Sequence, residues 1–585
     1  MPLHAGSLTR RDHVVVAVTL ALLVAIAGAM VLVPAPADTS AVAAPADTSA
    51  VAAGSAAPVA TPVPRTFRDG VVGTIATLDP LFATTRPELD IDALMFSGLT
   101  RLGPDGTVVP DLASSWTAGK DGRTWTFRLR AGATWQDGVP VTADDVAFTV
   151  RTTEDPGYHG PLAGAWQGVT VQVLDRLDVR FTLATPVADF PLAARSPILP
   201  AHLLAGQPIS DLGGTSFELH PVGAGPFRLV TLDSTGAILQ RTADPVTSTP
   251  AATLPPDPLD WNLPADIQQI DVRAFPDQGG LAAAFRAGQV DAAGGLPPDV
   301  AAQLAALPGA RMVAYQRTVL TAVLLNLRFG HNLFQNPHVR RALLLAIDRD
   351  ALVKAELDGL GVRADTLVPP SSWAFDSKAA GRVPYDPKAA AKELLAAGWR
   401  RSGSGWLRPG AKGAVTIELL TVDAATNPLD YAIATQIAAD WKAIGLPARF
   451  TVMSADQAIN QKLVPGVYDA AVVDLNVGLD ADLYPLLASA QAAVGGSNLS
   501  GFQSVKLDPL LEAARAYAPQ ATRATRVAAV EADLAQELPI LPLVYSDFPY
   551  VVRDTVQGPA PRLLSDPGER FWDVLTWRLA KPAGQ

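Results

Sequence analysis

The chain has 585 residues, 49% hydrophobic and 18% charged, with a formal net charge of −11 and no cysteine. Its length exceeds the ~250–300 residues at which a single core stops growing, so at least two lobes are expected. The acidity argues against a nucleic-acid partner, which needs clustered Lys and Arg, and the absence of cysteine removes disulfides, thiol catalysis, thiolate metal sites and lipid attachment through an N-terminal cysteine.

The first element is an apolar run from Val14 to Val33, preceded by Arg10 and Arg11 and followed by no lysine or arginine until Arg65. About 20 helical residues span the ~30 Å of bilayer hydrocarbon. The charge asymmetry keeps residues 1–13 in the cytoplasm and exports the remainder. A retained anchor over 14–33 is expected; a cleaved signal ending at Ala35-Pro36-Ala37 is the alternative. The nonapeptide PADTSAVAA then occurs twice, at 36–44 and 45–53. It cannot build a core, so 34–65 reads as a disordered stalk whose ends lie roughly 30 Å apart.

Beyond Arg65 the pattern is that of an α/β protein. Trp125, Phe127 and Leu129 alternate with Thr126, Arg128 and Arg130, the period of a half-buried strand. Thr142 fits a helix N-cap with Asp145 three residues on, and Val146, Ala147 and Val150 form the buried stripe. This capping role accounts for Asp144 and Asp145. Residues 169–186 alternate on both sides of Asp175 and read as a hairpin. The proline-rich stretch 243–262 reads as a surface loop. Helices are expected over 339–357, 386–398, 430–445, 507–518 and 521–538, with a strand after the third. Alternating strands and helices imply mixed sheets covered by helices.

No HExxH, GxSxG or phosphate-loop pattern is present. The seven histidines are scattered, and His331 and His338 are separated by a proline, so no metal is expected. "VGAGPF" (222–227) lacks the third glycine of a dinucleotide fingerprint, and Pro226 blocks the helix that would hold phosphate; it reads as a tight turn between strands. No cofactor and no enzymatic activity are expected.

Ten segments nevertheless occur in a familiar order. Among them are "LDP" (78–80), "LASSW" (112–116), "DGRTWTFRLRAGATWQDGVPVTADDVAFTV" (121–150), "PVGAGPFRL" (221–229), "FRAGQVDAA" (285–293), "NPHVRRALLLAIDRDALV" (336–353) and "GGSNLSGF" (495–502). Together they resemble the family 5 extracellular solute-binding proteins, the receptors of oligopeptide, dipeptide and nickel ABC importers. The resemblance covers about 66–560. It implies a two-lobed α/β periplasmic-binding-protein fold of type II, with mixed sheets, an extra inserted subdomain and a ligand cleft between the lobes. It further implies a discontinuous first lobe (66–100, 221–275 and 529–585), an inserted subdomain (101–220) and a second lobe (276–528).

In peptide-binding relatives an aspartate shortly before an Asp-Pro-Asp stretch meets the peptide ammonium. Here Asp480-Ala481-Asp482 is the counterpart of that stretch, and the upstream position falls at neutral residues near Asn476 to Gly478; Asp474 substitutes only if the alignment shifts. The ligand-binding residues implied are Glu88, Leu89, Asp474, Asn476, Asp480 and Asn498. The function implied is capture of a peptide-like or other small polar solute by lobe closure and delivery to ABC permease subunits, by a monomer at the outer face of the cell membrane. An anchored sensor or chaperone-like binding protein of the same fold, uncoupled from transport, is the alternative.

Overall fold

The computed structural model describes residues 64–103, 106–163, 166, 168–242, 266–493 and 495–580. The apolar run 14–33, the repeated nonapeptide and the proline-rich stretch 243–262 lie outside the described residues.

Strand β1 (Thr66–Val72) is followed by helix α1 (Arg86–Met95). A separate unit comes next. Strands β2 (Ala113–Ala118) and β3 (Thr124–Leu129), helix α2 (Ala143–Glu154) and the hairpin β4 (Val169–Val173) and β5 (Asp178–Leu183) build an antiparallel sheet in the order β2-β3-β5-β4. The expected alternation holds: Trp125, Phe127 and Leu129 are buried. At the start of α2 the Thr142 N–H donates to Asp145 Oδ2 at 2.8 Å, satisfying a group that the helix itself cannot. Asp175 turns the hairpin by accepting the Leu177 and Asp178 N–H groups at 2.7 and 2.9 Å.

The chain then forms β6 (Phe227–Asp233), β7 (Gly236–Arg241), β8 (Gln269–Phe275), α3 (Gln278–Arg286), β9 (Ala292–Gly294), α4 (Pro298–Ala305) and β10 (Ala310–Leu325). Next come α5 (Pro337–Leu345), β11 (Ile417–Val422), α6 (Pro428–Ala443), β12 (Ala448–Met453), β13 (Ala470–Asn476), α7 (Gln520–Glu537) and β14 (Ile540–Arg553). One mixed sheet runs in the order β12-β11-β13-β10-β14-β9-β1-β8-β7-β6, with a short strand, Gly361–Arg363, also paired to β14.

The core divides along this sheet. The apolar residues from Leu320 to Tyr545 form one cluster, the second lobe. Residues of β1, α1, β6–β9 and the segment 564–577 form the core of the first lobe. The β2–β5 unit has a core of its own around Trp125, Phe127, Trp166 and Phe181. Helices α3 and α4 bury Leu281, Phe285, Ala301 and Leu304 against Val551 of β14. Leu281 also lies so close to Gly70 of β1 that a Cβ there would sit 2.4 Å from its Cδ1. These helices fall inside 276–528 yet pack on first-lobe strands, whereas Val530 and Leu534, beyond 528, pack in the second lobe. The packing therefore changes lobes later in the chain, within β10 and β14.

Two local readings are corrected. The helix expected over 339–357 is two, because Asp348 breaks the first and caps the second (Arg349–Glu356) by accepting the Ala351 N–H at 2.9 Å. "VGAGPF" joins a 3-10 turn (Ser216–Glu218) to β6 rather than linking two strands. Its glycines are required by close approach, since a Cβ on Gly223 would lie 1.9 Å from the Met95 carbonyl oxygen.

Candidate functional site

Strands β10 and β14 are the two long strands that belong to both lobes. Their ladder pairs Ala310–Gln316 with Arg553–Asp547, breaks, and resumes from Leu320 opposite Tyr545. Backbone groups freed at the break must find partners. The segment around Leu564 supplies them: the Thr318 N–H donates to the Leu564 carbonyl at 2.9 Å, and the Leu564 N–H to Gln316 at 2.8 Å. The break is thus a pinned crossing, with second-lobe side chains on one side and first-lobe side chains on the other.

From the second lobe, Asp474 and Asn476 project from the same face of β13, two residues apart. Thr321 Oγ1 donates to Asp474 Oδ1 at 2.6 Å, and Thr318 Oγ1 to Asn476 Oδ1 at 2.7 Å. The Gln316 amide oxygen accepts from the backbone N–H and hydroxyl of Ser371, which carries the 368–376 loop over the crossing. Two residues on, Trp373 Nε1 donates to the Leu479 carbonyl at 3.1 Å. From the first lobe, Arg86 holds Asp566 through two hydrogen bonds of 2.9 and 3.1 Å and Asp90 at 2.8 Å.

Arg317 stands between these walls. Burial pulls its guanidinium below the usual value, opposed by the charges of Asp474 in one lobe and Asp566 in the other. Its Nε is buried with no hydrogen-bond partner among the described residues. Beneath Asp474 lies Asp430, in the first turn of α6 and 4% exposed. Burial, then the neighbouring Asp474 charge and a hydrogen bond to it, raise the Asp430 carboxyl well above the carboxylate range. A buried carboxyl beside a like charge is held in its neutral form. The floor of the crossing thus presents a cation, an acid pair and two amides, a set suited to a small polar solute that carries both donors and acceptors.

The six residues singled out from sequence do not converge. Asp474 and Asn476 meet at the crossing. Asp480 accepts the Asp482 N–H at 3.2 Å, and its carbonyl takes Arg523 Nη2 at 3.0 Å. Leu89 is half-buried in α1, its carbonyl against Gly568. Asn498 is 2% exposed; its amide holds the carbonyls of Ala488 and Phe502 and accepts from Ser500 and Gly501, so it ties a loop inside the second lobe. Glu88 is corrected from a ligand-binding residue to a loop clamp. At 1% exposed, it accepts the N–H groups of Ala76, Thr77, Thr84 and Thr85 at 2.7–3.2 Å, which occupies both oxygens. Glu88→Ala is expected to lower stability by about 2–4 kcal/mol, since four donors lose their acceptor. Urea unfolding of the variant checks this; a change below ~1 kcal/mol would count against the clamp.

Arg317, Asp430, Arg86 and Asp566 were not singled out. Arg317 did carry a signal, as a lone arginine entering the apolar strand "TVLTAVLL". Asp430 read as an ordinary first-turn acid, and nothing local links Arg86 to Asp566. Among the described residues no group of three or more His, Asp or Glu is arranged to hold a metal ion.

Comparison with known proteins places this geometry. The family model described as "Bacterial extracellular solute-binding proteins, family 5 Middle" matches residues 107–494. Protein XP55 of Streptomyces lividans is 29% identical over 529 residues, covering 88% of each chain. The dipeptide-binding protein of Escherichia coli (strain K12) is 24% identical, covering 77% of this chain and 83% of its own. The structure of the oligopeptide-binding protein AppA from Bacillus subtilis, in complex with a nonapeptide, superposes with a TM-score of 0.66 at 22% identity, covering 89% of this chain and all of that one.

Proposed function

The chain belongs to the family 5 extracellular solute-binding proteins, and from that premise we propose that its solute is a peptide-like or other small polar compound, captured in the cleft at the β10–β14 crossing. The family is one of binding proteins, not of catalysts. Its members act outside the cytoplasm and hand their solutes to ABC permeases. In our reading this chain does the same as a monomer, anchored through residues 14–33.

One observation carries the proposal: both lobes are threaded by the same two strands, whose ladder is broken where charged and amide side chains from the two lobes face each other. Such strands bend at the break, so the lobes can close on a solute and exclude water. We take Gln316–Leu320 and Tyr545–Asp547 as the hinge. Val477, at the neutral stretch where relatives place the ammonium-binding aspartate, is buried. That leaves the Asp474–Asp430 pair as the acid available to a cationic group, and Arg317 as the partner of an anionic one.

The test is native mass spectrometry on residues 66–585 purified without denaturation, followed by release and identification of what is bound. A mixed set of short peptides is the expected result. A single non-peptide species would replace the peptide reading with that solute class. The alternative, a sensor of the same fold, gains only if the cleft is empty and no solute in a peptide library alters the unfolding temperature.

A further inference from the structure

The β2–β5 unit touches the second lobe as well as the first. The Ala188 N–H donates to the Arg515 carbonyl at 3.1 Å, Asp189 faces Arg523 at 3.7 Å, and the Trp125 ring meets Tyr517 edge-on at 5.4 Å between centroids. Between these contacts lies a chamber of about 260 Å³. Trp116 and Trp125 line it from the inserted unit, Trp373 and Tyr517 from the second lobe. Arg523 lies over the Trp373 ring at 5.1 Å and, with Asp189, forms its polar side. The Trp125 Nε1 is buried without a hydrogen-bond partner among the described residues. Through Trp373, whose Nε1 is bonded to the Leu479 carbonyl, the chamber adjoins the crossing where the solute is proposed to sit.

Size decides what it can hold. Whole-ligand pockets run to roughly 300–1,000 Å³, whereas an apolar cavity of roughly 150 Å³ takes up benzene. This chamber therefore suits one substituent and not an entire solute. Aromatic walls favour an aromatic guest through edge-to-face and offset contacts.

We propose that this chamber is a recognition pocket for an aromatic or heteroaromatic group. It rests on the solute reading above only for the source of that group, a side chain of a peptide-like solute. Because its walls come from the inserted unit and the second lobe, filling it holds those two bodies together, so an aromatic solute favours the closed arrangement.

The test is calorimetric titration of the full-length protein in detergent with N-acetyl-tryptophanamide, which lacks the charged termini needed in the cleft, and with the cyclohexylalanine analogue. Saturable binding in roughly the millimolar range is expected, about fivefold weaker for the saturated ring. Ala518→Trp, which fills the chamber from a loop, should abolish it, and Trp116→Ala, which removes one aromatic wall, should weaken it severalfold. The proposal is overturned by no saturable binding to the native protein, or by unchanged affinity in Ala518→Trp and Trp116→Ala. If peptides are retained in the mass-spectrometric test but this titration fails, only the chamber is rejected. An empty cleft with a positive titration rejects the peptide reading and keeps the chamber.

Discussion

Arg570→Leu is expected to destabilise the protein by about 3–5 kcal/mol, the cost of breaking a buried ion network by removing its cation. The Arg570 side chain is fully buried. Nη1 and Nη2 grip both oxygens of Asp90 at 2.7 Å, and Nη2 also reaches Asp69 Oδ2 at 2.7 Å. The Tyr550 hydroxyl completes the set by donating to Asp69 Oδ1 at 2.7 Å. The network joins β1, α1, β14 and the 3-10 segment Pro567–Thr576, and so fastens the first lobe. Leucine would leave Asp69 buried without a cation, held only by the Tyr550 hydroxyl, while Asp90 would keep Arg86 alone. Asp69 would then have to take up a proton, so the deficit should shrink on acidification from pH 7.5 to 5. Adding Asp69→Asn and Asp90→Asn should recover part of the loss. Urea unfolding at both pH values measures this; a single variant within 1 kcal/mol of the native protein would sink the account.

The protein is also expected to be more stable near pH 5 than near pH 8. Burial raises the carboxyls of Asp79, Glu531 and Asp573 each to about 7. Asp79 Oδ2 and Glu531 Oε1 are buried with no hydrogen-bond partner among the described residues, so nothing replaces the water that would solvate their charged form. Since the folded values lie above the unfolded ones of 3.8 to 4.5, folding favours the neutral form. That contribution is complete below the unfolded values and is lost as pH climbs towards 7. Between pH 5 and 7, at ~1.4 kcal/mol per pH unit, each group loses on the order of 2–3 kcal/mol, against a total stability of roughly 5–15 kcal/mol. Asp566 works in the opposite sense. The Arg86 guanidinium outweighs its burial and holds its carboxyl low, a contribution lost on acidification below about pH 4. An optimum near pH 5 follows. Calorimetric melting from pH 4 to 8 checks it: Glu531→Gln should flatten the decline and raise the melting temperature at pH 8. A melting temperature that is flat or rises between pH 5 and 8 would refute the assignment.

Much of the local structure was legible in the sequence because its causes are local. The Thr142–Asp145 cap, the Asp175 turn and the helix expected over 430–445, found as α6, all depend on residues within a few turns of each other. The order of ten motifs added the family and its two-lobed fold, since each motif marks an element the fold needs.

What a side chain does once buried was not legible. Glu88 and Asn498 carry the chemistry of ligand-binding residues, but their neighbours in space are backbone groups and, for Asn498, the Ser500 hydroxyl, which occupy their acceptor oxygens. Asp69, Asp90 and Arg570 lie 480 or more residues apart along the chain between acid and base, and only the meeting of β1, α1 and the 567–576 segment makes them one network. The lobe to which α3 and α4 belong was likewise decided by Leu281 and Phe285 meeting Val551. The chain itself determined its elements, its exported α/β character and its family through capping, periodicity and motif order. The tertiary structure alone decided where the β10–β14 ladder breaks, which core each helix packs into and which charged side chains flank the break. Those depend on long-range packing and on how far each ionisable group is taken out of water, and neither quantity is written in any short stretch of residues.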